Sequence, residues 1–436
     1  MLRLDRKQSP EVTLTFWIPT IWFLVVSSKP FAVWFHSTGA TMEEGNPLDR
    51  LFLIVMLCLG LIILKKRKLN WSNIIKGNVW LLLLLSYMLL SCLWADAPFV
   101  SFKRWSRELI TIIMAIVIIS EPQPWESLES LLRRTIYILI PFSWVLIDYF
   151  PEYGRMYLHH SGDLMWIGAS THKNGLTQLC VIAIVFLIWT FIRRRQGSIS
   201  TVSRHQTYFD VLILLLALWL MGGPGHNLYY SATATTVGFI GVSLLTGLYW
   251  YRTRGILVGS SVLTIMVIVI IIYGTITPMI GKLPLLDTSV AGREETLKGR
   301  TPVWEQLVPV AMQRPLFGHG HGGFWTTGAR EEYAITGAHN GYLDILLSLG
   351  FVGLGLYSIF FLFNIRMAHR GMIQNFDWGV LWICFLIMFL LNNITESPLV
   401  SFMSGGFVVI ICLTFAFTTR DSCASSCTSR RGVDHA

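Results

Sequence analysis

The densest chemistry in this chain lies between Leu297 and Tyr357, where a polar segment leads into the run AHNGYLDILLSLGFVGLGLY. Thr301 and Pro302 read as the N-cap and first residue of a helix with Glu305 in its first turn, running to about Gln313 ahead of Arg314 and Pro315. Arg300 then precedes a helix N-terminus, where free N–H groups and the helix dipole favour an anion, and Lys298 and Arg293 add charge. A phosphate or pyrophosphate suits this place, because a guanidinium can hold it through two parallel hydrogen bonds. The competing reading pairs Arg300 with Glu294, Glu295 or Glu305 on a solvated loop.

His339 stands beside Asn340, a good N-cap for the apolar run that begins at Gly341, with Asp344 in its first turn. An imidazole titrating near neutrality can act as a general base, although a single histidine can equally be structural. His319 and His321, in FGHGHGGFW, lack a third ligand at helical spacing, so no metal is expected. Trp304, Phe324 and Trp325 admit two readings, interfacial anchors or platforms that stack on sugar rings. Further polar groups fall in loops on the same side: Trp94, Asp96, Lys103, Arg104 and Arg107, then Arg155, His159, His160 and Asp163, the run Thr171-His172-Lys173-Asn174-Gly175, and Gly222 to Asn227.

The elements that must position these groups are membrane helices. In 436 residues, 53% are hydrophobic, 14% are charged and mean hydropathy is +0.57, which excludes an ordinary soluble domain. The net charge of +9 sits in short clusters between apolar runs, as membrane topology requires, so nucleic acid is not expected as a partner. Seven cysteines imply neither a disulfide framework nor, at Cys423 and Cys427, a zinc site. Arg3, Arg6 and Lys7 before an apolar run resemble a signal peptide, but the run lacks a small-residue cleavage site and reads as a retained first span.

A hydrocarbon core of ~30 Å needs about 20 helical residues. Twelve spans are expected, near 12–35, 48–64, 77–94, 106–120, 134–150, 174–192, 208–223, 230–251, 255–280, 341–363, 377–393 and 399–419. The chain therefore divides into an N-terminal membrane region (1–280, about nine spans), a long loop (281–340), a C-terminal membrane region (341–419, three spans) and a tail (420–436). With the N-terminus cytoplasmic, 21 of the 34 Lys and Arg fall inside. Six of the other 13 lie in the long loop, which the positive-inside rule weights less, so the short loops split 21 to seven. Both termini are expected in the cytoplasm and the long loop outside. No charged residue is expected near the middle of a span, since Glu108, Asp148, Asp344 and Glu396 fall near span ends, and this argues against ion-coupled transport.

The run Thr296-Leu297-Lys298-Gly299-Arg300-Thr301-Pro302-Val303-Trp304, then Arg314 to Gly320, Phe324-Trp325, and His339-Asn340-Gly341-Tyr342-Leu343-Asp344, resembles the bacterial O-antigen ligase and polymerase superfamily. It is most similar to the ExoQ-type exopolysaccharide polymerases. Supporting pieces are Ser91 to Ala95, Thr171 to Asn174 and Thr395-Glu396-Ser397.

The resemblance implies an all-α, GT-C-like polytopic enzyme of the bacterial inner membrane whose long periplasmic loop contains a short helix. It implies transfer of glycan carried on undecaprenyl pyrophosphate, with no nucleotide sugar, no cofactor and no required metal. Membrane lipids and other exopolysaccharide assembly and export proteins are further expected partners. Arg300 corresponds to the loop arginine taken to bind pyrophosphate, and His339 to the histidine proposed as base. The expected substrate-contacting set is His172, Lys173, Asn174, Arg293, Lys298, Arg104, Arg107, Trp304, Trp325, Asn340 and Tyr342. Many relatives carry a basic residue at the outer start of the eighth span, whereas this chain reads Tyr230-Ser231-Ala232-Thr233-Ala234-Thr235-Thr236. Lys173, Arg104 or Arg107 is expected to supply that charge. Polymerisation is the expected function, with a ligase or a lipid-linked sugar flippase as alternatives.

Overall fold

A computed structural model describes residues 13–35, 45–157, 164–197, 204–223, 231–280, 300–333, 335 and 337–431. The helices that build the bundle are α1 (Trp17–Val26), α2 (Pro47–Lys66), α3 (Trp71–Gly77), α4 (Val79–Leu90), α5 (Pro98–Ile119), α6 (Pro124–Tyr149) and α7 (Lys173–Arg195). They continue with α8 (Arg204–Gly222), α9 (Ala232–Thr253), α10 (Ser260–Ile280), α11 (Thr301–Ala311), α12 (Gly341–Gln374), α13 (Phe376–Asn392) and α14 (Gly405–Arg431). One antiparallel hairpin, β1 (Arg155–Tyr157) with β2 (Leu164–Trp166), pairs Arg155 with Trp166. The protein is an all-α polytopic membrane protein, and the hairpin is its only sheet among the described residues.

Each of the twelve expected spans overlaps a helix, but among the described residues seven helices are long and apolar enough to cross a membrane, or eight if the pair Trp71–Gly77 and Val79–Leu93, bent by 82°, is one broken span, fewer than the twelve expected. The shortfall has two physical causes. Leu14–Val26, Phe376–Asn392 and Gly405–Thr418 are apolar but short of the ~20 residues that a straight crossing needs. By contrast, α5 is long enough but carries Lys103, Arg104, Arg107 and Glu108 in its first half.

Charged residues do lie mid-helix, contrary to the sequence expectation. The apolar run after Leu109 hid the fact that α5 begins at Pro98, which puts Glu108 near its centre and 3% exposed. Glu108 is satisfied internally by the Phe402 N–H at 2.6 Å and the Ser401 hydroxyl at 3.2 Å. Likewise Arg133 and Arg134 are buried within α6; Arg133 pairs with Glu129 at 2.7 Å, and Arg134 lies over the Trp17 ring at 4.7 Å. Buried charges of this kind are tolerated where partners replace water. The argument against transport from charge-free helix centres therefore does not hold.

The FGHGHGGFW loop is threaded into the bundle at a break in α12. Gly350 has φ +64°, and a Cβ there would lie 2.4 Å from the Leu316 backbone, so a glycine is needed both for the turn and for the approach. The freed backbone groups are taken up by the loop: Phe351 N–H donates to Pro315 at 2.8 Å, and Leu347 C=O accepts from His319 N–H at 2.8 Å. Arg104 ties the other side by donating to the Gly322 and Trp325 carbonyls. The core here is thus polar backbone held by α5 and α12.

Candidate active site

Three chain segments converge on Glu396. Its Oε1 accepts from Arg300 Nη2 at 3.1 Å and from Asn174 Nδ2, while its Oε2 lies 4.0 Å from His339 Nδ1. His172 belongs to the same cluster, since Glu396, Lys173, His339 and Arg300 all act on its charge. Burial pushes the His172 imidazole below its ordinary range, and Glu396 opposes that shift. Burial likewise lowers Arg300, again opposed by Glu396. Of the expected residues, His172, Lys173, Asn174, Arg300 and His339 are brought together. Lys298 and Arg293 lie outside the described residues.

Local sequence explains each placement. His172 is the N-cap of α7, its Nδ1 accepting from Asn174 N–H at 3.4 Å, so the next two side chains leave from a fixed helix end. Arg300, rather than Thr301, occupies the N-cap position of α11, one residue earlier than the Thr-Pro signal indicated. Its partner is Glu396, 96 residues away, not Glu305. Asn340 caps α12 as expected, accepting from Leu343 N–H at 2.9 Å, and its amide donates to the Gly274 and Ile394 carbonyls.

The loops carrying His339 and Glu396 are stitched to each other. Gly341 N–H donates to Asn393 C=O at 2.8 Å, and the Asn393 side chain accepts from Leu399 N–H at 2.8 Å. A Cβ at Gly341 would meet Asn393 Oδ1 at 2.3 Å, so no other residue permits this approach. His339 itself has φ +49°, the only non-glycine residue at positive φ among the described residues. Such strain costs about 1–3 kcal/mol and persists where the surroundings impose it.

The remaining candidates hold the site rather than face it. Trp304 is 1% exposed and donates to the Ala338 carbonyl at 2.9 Å, directly before His339. Trp325 donates to Asp344 Oδ1 at 2.7 Å, and the same oxygen accepts from Ala338 N–H at 3.4 Å. Both indoles are buried with their N–H groups engaged, which corrects the alternatives of interfacial anchor and sugar platform: they pin the His339 turn. Tyr342 is buried, its hydroxyl on the Leu390 carbonyl at 2.9 Å. Arg104 clamps the threaded loop, and Arg107 lies beside Glu108 on α5, so neither joins the Glu396 cluster. His319 pairs with Asp96 at 2.7 Å while His321 turns towards Glu108 at 3.9 Å, and no three metal-ligating side chains meet among the described residues.

Glu396 is the residue that sequence reasoning missed. It appeared in the Thr-Glu-Ser triplet without a role, because nothing local shows that the turn after α13 folds back onto Arg300.

An arginine, a second basic residue and an imidazole 4.0 Å from a carboxylate are groups that can stabilise a departing anion and take a proton from an incoming hydroxyl. The profile of the family described as O-Antigen ligase matches residues 216–358, a segment that contains both Arg300 and His339. A 309-residue stretch is 22% identical to the "Exopolysaccharide production protein ExoQ" of Rhizobium meliloti (strain 1021), spanning 64% of this chain and 63% of that protein. The chain is thus similar to the O-antigen ligase family over that segment and to an ExoQ-type protein over part of its length. Of the Glu396 cluster, Arg300 and His339 lie inside the matched segment, and His172, Asn174 and Glu396 lie outside it.

Proposed function

We propose that the protein is an inner-membrane glycosyltransferase that polymerises undecaprenyl-pyrophosphate-linked repeat units at the periplasmic face, with both termini cytoplasmic. The observation that carries this reading is Glu396 held between Arg300 and His339. Arg300, the α11 N-terminus and Lys173 stabilise the departing lipid pyrophosphate. The acceptor hydroxyl attacks the anomeric carbon, the carbon–oxygen bond to phosphate breaks, and the proton passes to His339 or Glu396. Loss of the pyrophosphate drives the step, so no nucleotide is consumed. Glu396 pairs with Arg300, and the incoming anion exchanges with it.

The matched profile, described as O-Antigen ligase, favours a second reading, transfer of finished glycan to a lipid A core or protein acceptor. A deletion strain separates the readings. Accumulated single repeat units support the polymerase, free long chains without lipid attachment support the ligase, and lipid-linked repeats facing the cytoplasm indicate a flippase. The purified protein should transfer glycan in excess EDTA, and loss of activity restored by one divalent ion would overturn the metal-free mechanism.

A further inference from the structure

We propose that a cavity of about 200 Å³ walled by α1, α6, α7 and the start of α14 is a subsite for an uncharged sugar of the acceptor glycan, a proposal that rests on the transferase reading. Its wall carries hydroxyl and amide groups from Thr135, Ser170, Thr171, Gln178 and Ser404, with aliphatic and phenyl surface between them and no charged side chain. Ser404 borders the cavity, and its Oγ, enclosed by protein, has no hydrogen-bond partner among the described residues. Such a group is costly inside a bundle unless a ligand or water meets it.

The chemistry of this wall selects its occupant. A pyrophosphate needs cations, which the cavity lacks, whereas a sugar ring presents hydroxyls at its rim and C–H groups on its faces, matching a lining of both kinds. Two glycines keep the wall bare where α14 begins: a Cβ on Gly405 would come within 3.2 Å of Ser27 Oγ, and one on Gly406 within 3.2 Å of the Phe389 ring.

The cavity also lies where an acceptor must. Thr171 and Gly175 on its rim flank His172 to Asn174, and Asn174 holds Glu396. Arg300 arrives from elsewhere, since α11 packs chiefly on α10 and α12, neither of which walls the cavity. Donor pyrophosphate at Arg300 and acceptor sugar in the cavity would meet at Glu396. The acceptor oxygen forms the new bond to the anomeric carbon, its proton goes to the Glu396–His339 pair, and the lipid pyrophosphate leaves with the electrons of the broken bond.

Gln178→Leu and Ser404→Ala test this in the full-length purified protein, given its lipid-linked donor and the repeat-unit oligosaccharide released from the strain's own polymer. Each should raise the acceptor KM by about 5- to 50-fold while donor KM and kcat at saturating acceptor stay within about twofold. Unchanged acceptor KM in both variants, or a raised donor KM, would overturn the proposal. Equilibrium binding of the free oligosaccharide needs no catalysis and keeps two failures apart. Weaker binding by Gln178→Leu, with no transfer by the wild type, would sink the transferase reading alone. Equal binding by wild type and both variants would sink the subsite, and Ser404→Ala, which removes one oxygen, keeps the test valid if Gln178→Leu does not fold.

Discussion

Arg300 and Glu396 are separated by 96 residues in the chain and by 3.1 Å in space. The pair is largely enclosed, 18% and 21% exposed by side chain, and Glu396 also accepts from Asn174. Under the proposed mechanism the Glu396 carboxylate competes with the departing anion for Arg300 and releases it when the anion arrives.

Glu396→Gln isolates that competition. The amide oxygen can still accept from Asn174, but no anion remains to hold Arg300. Donor KM should fall by up to about fivefold, the worth of a part-exposed ion pair. At the same time kcat should drop by roughly 10²-fold or more through loss of the carboxylate beside His339. Steady-state kinetics that show a raised donor KM would remove Glu396 from this role.

If His339 at φ +49° is the proposed base, relaxing the backbone should separate stability from activity. His339→Gly should raise Tm or leave it unchanged, because glycine accepts positive φ without strain, while transfer falls by about 10²–10⁴-fold. A marked drop in Tm would show that the imidazole is mainly structural.

Much of this was legible in the sequence. The helices followed from apolar runs and the cap at Asn340 from local capping chemistry, and Arg300 and His339 were singled out as candidates by the helix N-termini beside them together with resemblance. The start of α5 was not legible, because Lys103, Arg104, Arg107 and Glu108 break the apolar pattern that marks a span. Nor was the burial of Trp304 and Trp325, whose partners, Ala338 and Asp344, are set by how the threaded loop returns to the start of α12. Glu396 escaped for the same reason: its meaning lies in contacts made across the bundle, to Arg300 and Asn174.

His172 predicts the acid limb of stability. Its folded pKa lies below the ordinary 6.5, so as pH falls the unfolded chain binds the proton first and folding is penalised. Stability should be full above about pH 6.5 and fall below it, with protonation also removing the acceptor that caps α7. His172→Asn, which keeps a capping oxygen and cannot titrate, should flatten the Tm profile below that pH. Identical profiles would assign the acid limb to another group.

The proposed orientation is open to chemical labelling. Single cysteines at Thr326 and Gln196 in a cysteine-free background should differ, an impermeant maleimide on intact spheroplasts reaching only the first. Labelling at Gln196 would invert the bundle and place the Glu396 cluster on the cytoplasmic side.

The central claim is that Arg300 meets the departing anion, and the rate of glycan transfer by Arg300→Ala at wild-type membrane abundance tests it most directly. One charge-assisted contact is worth ~1.5–3 kcal/mol, so the rate should fall by roughly ten- to 200-fold, and further if two parallel bonds are lost. Arg300→Lys should recover only part of it, because a point charge does not reproduce the planar fork. Polymer of near-normal length and yield from well-expressed Arg300→Ala would contradict the account.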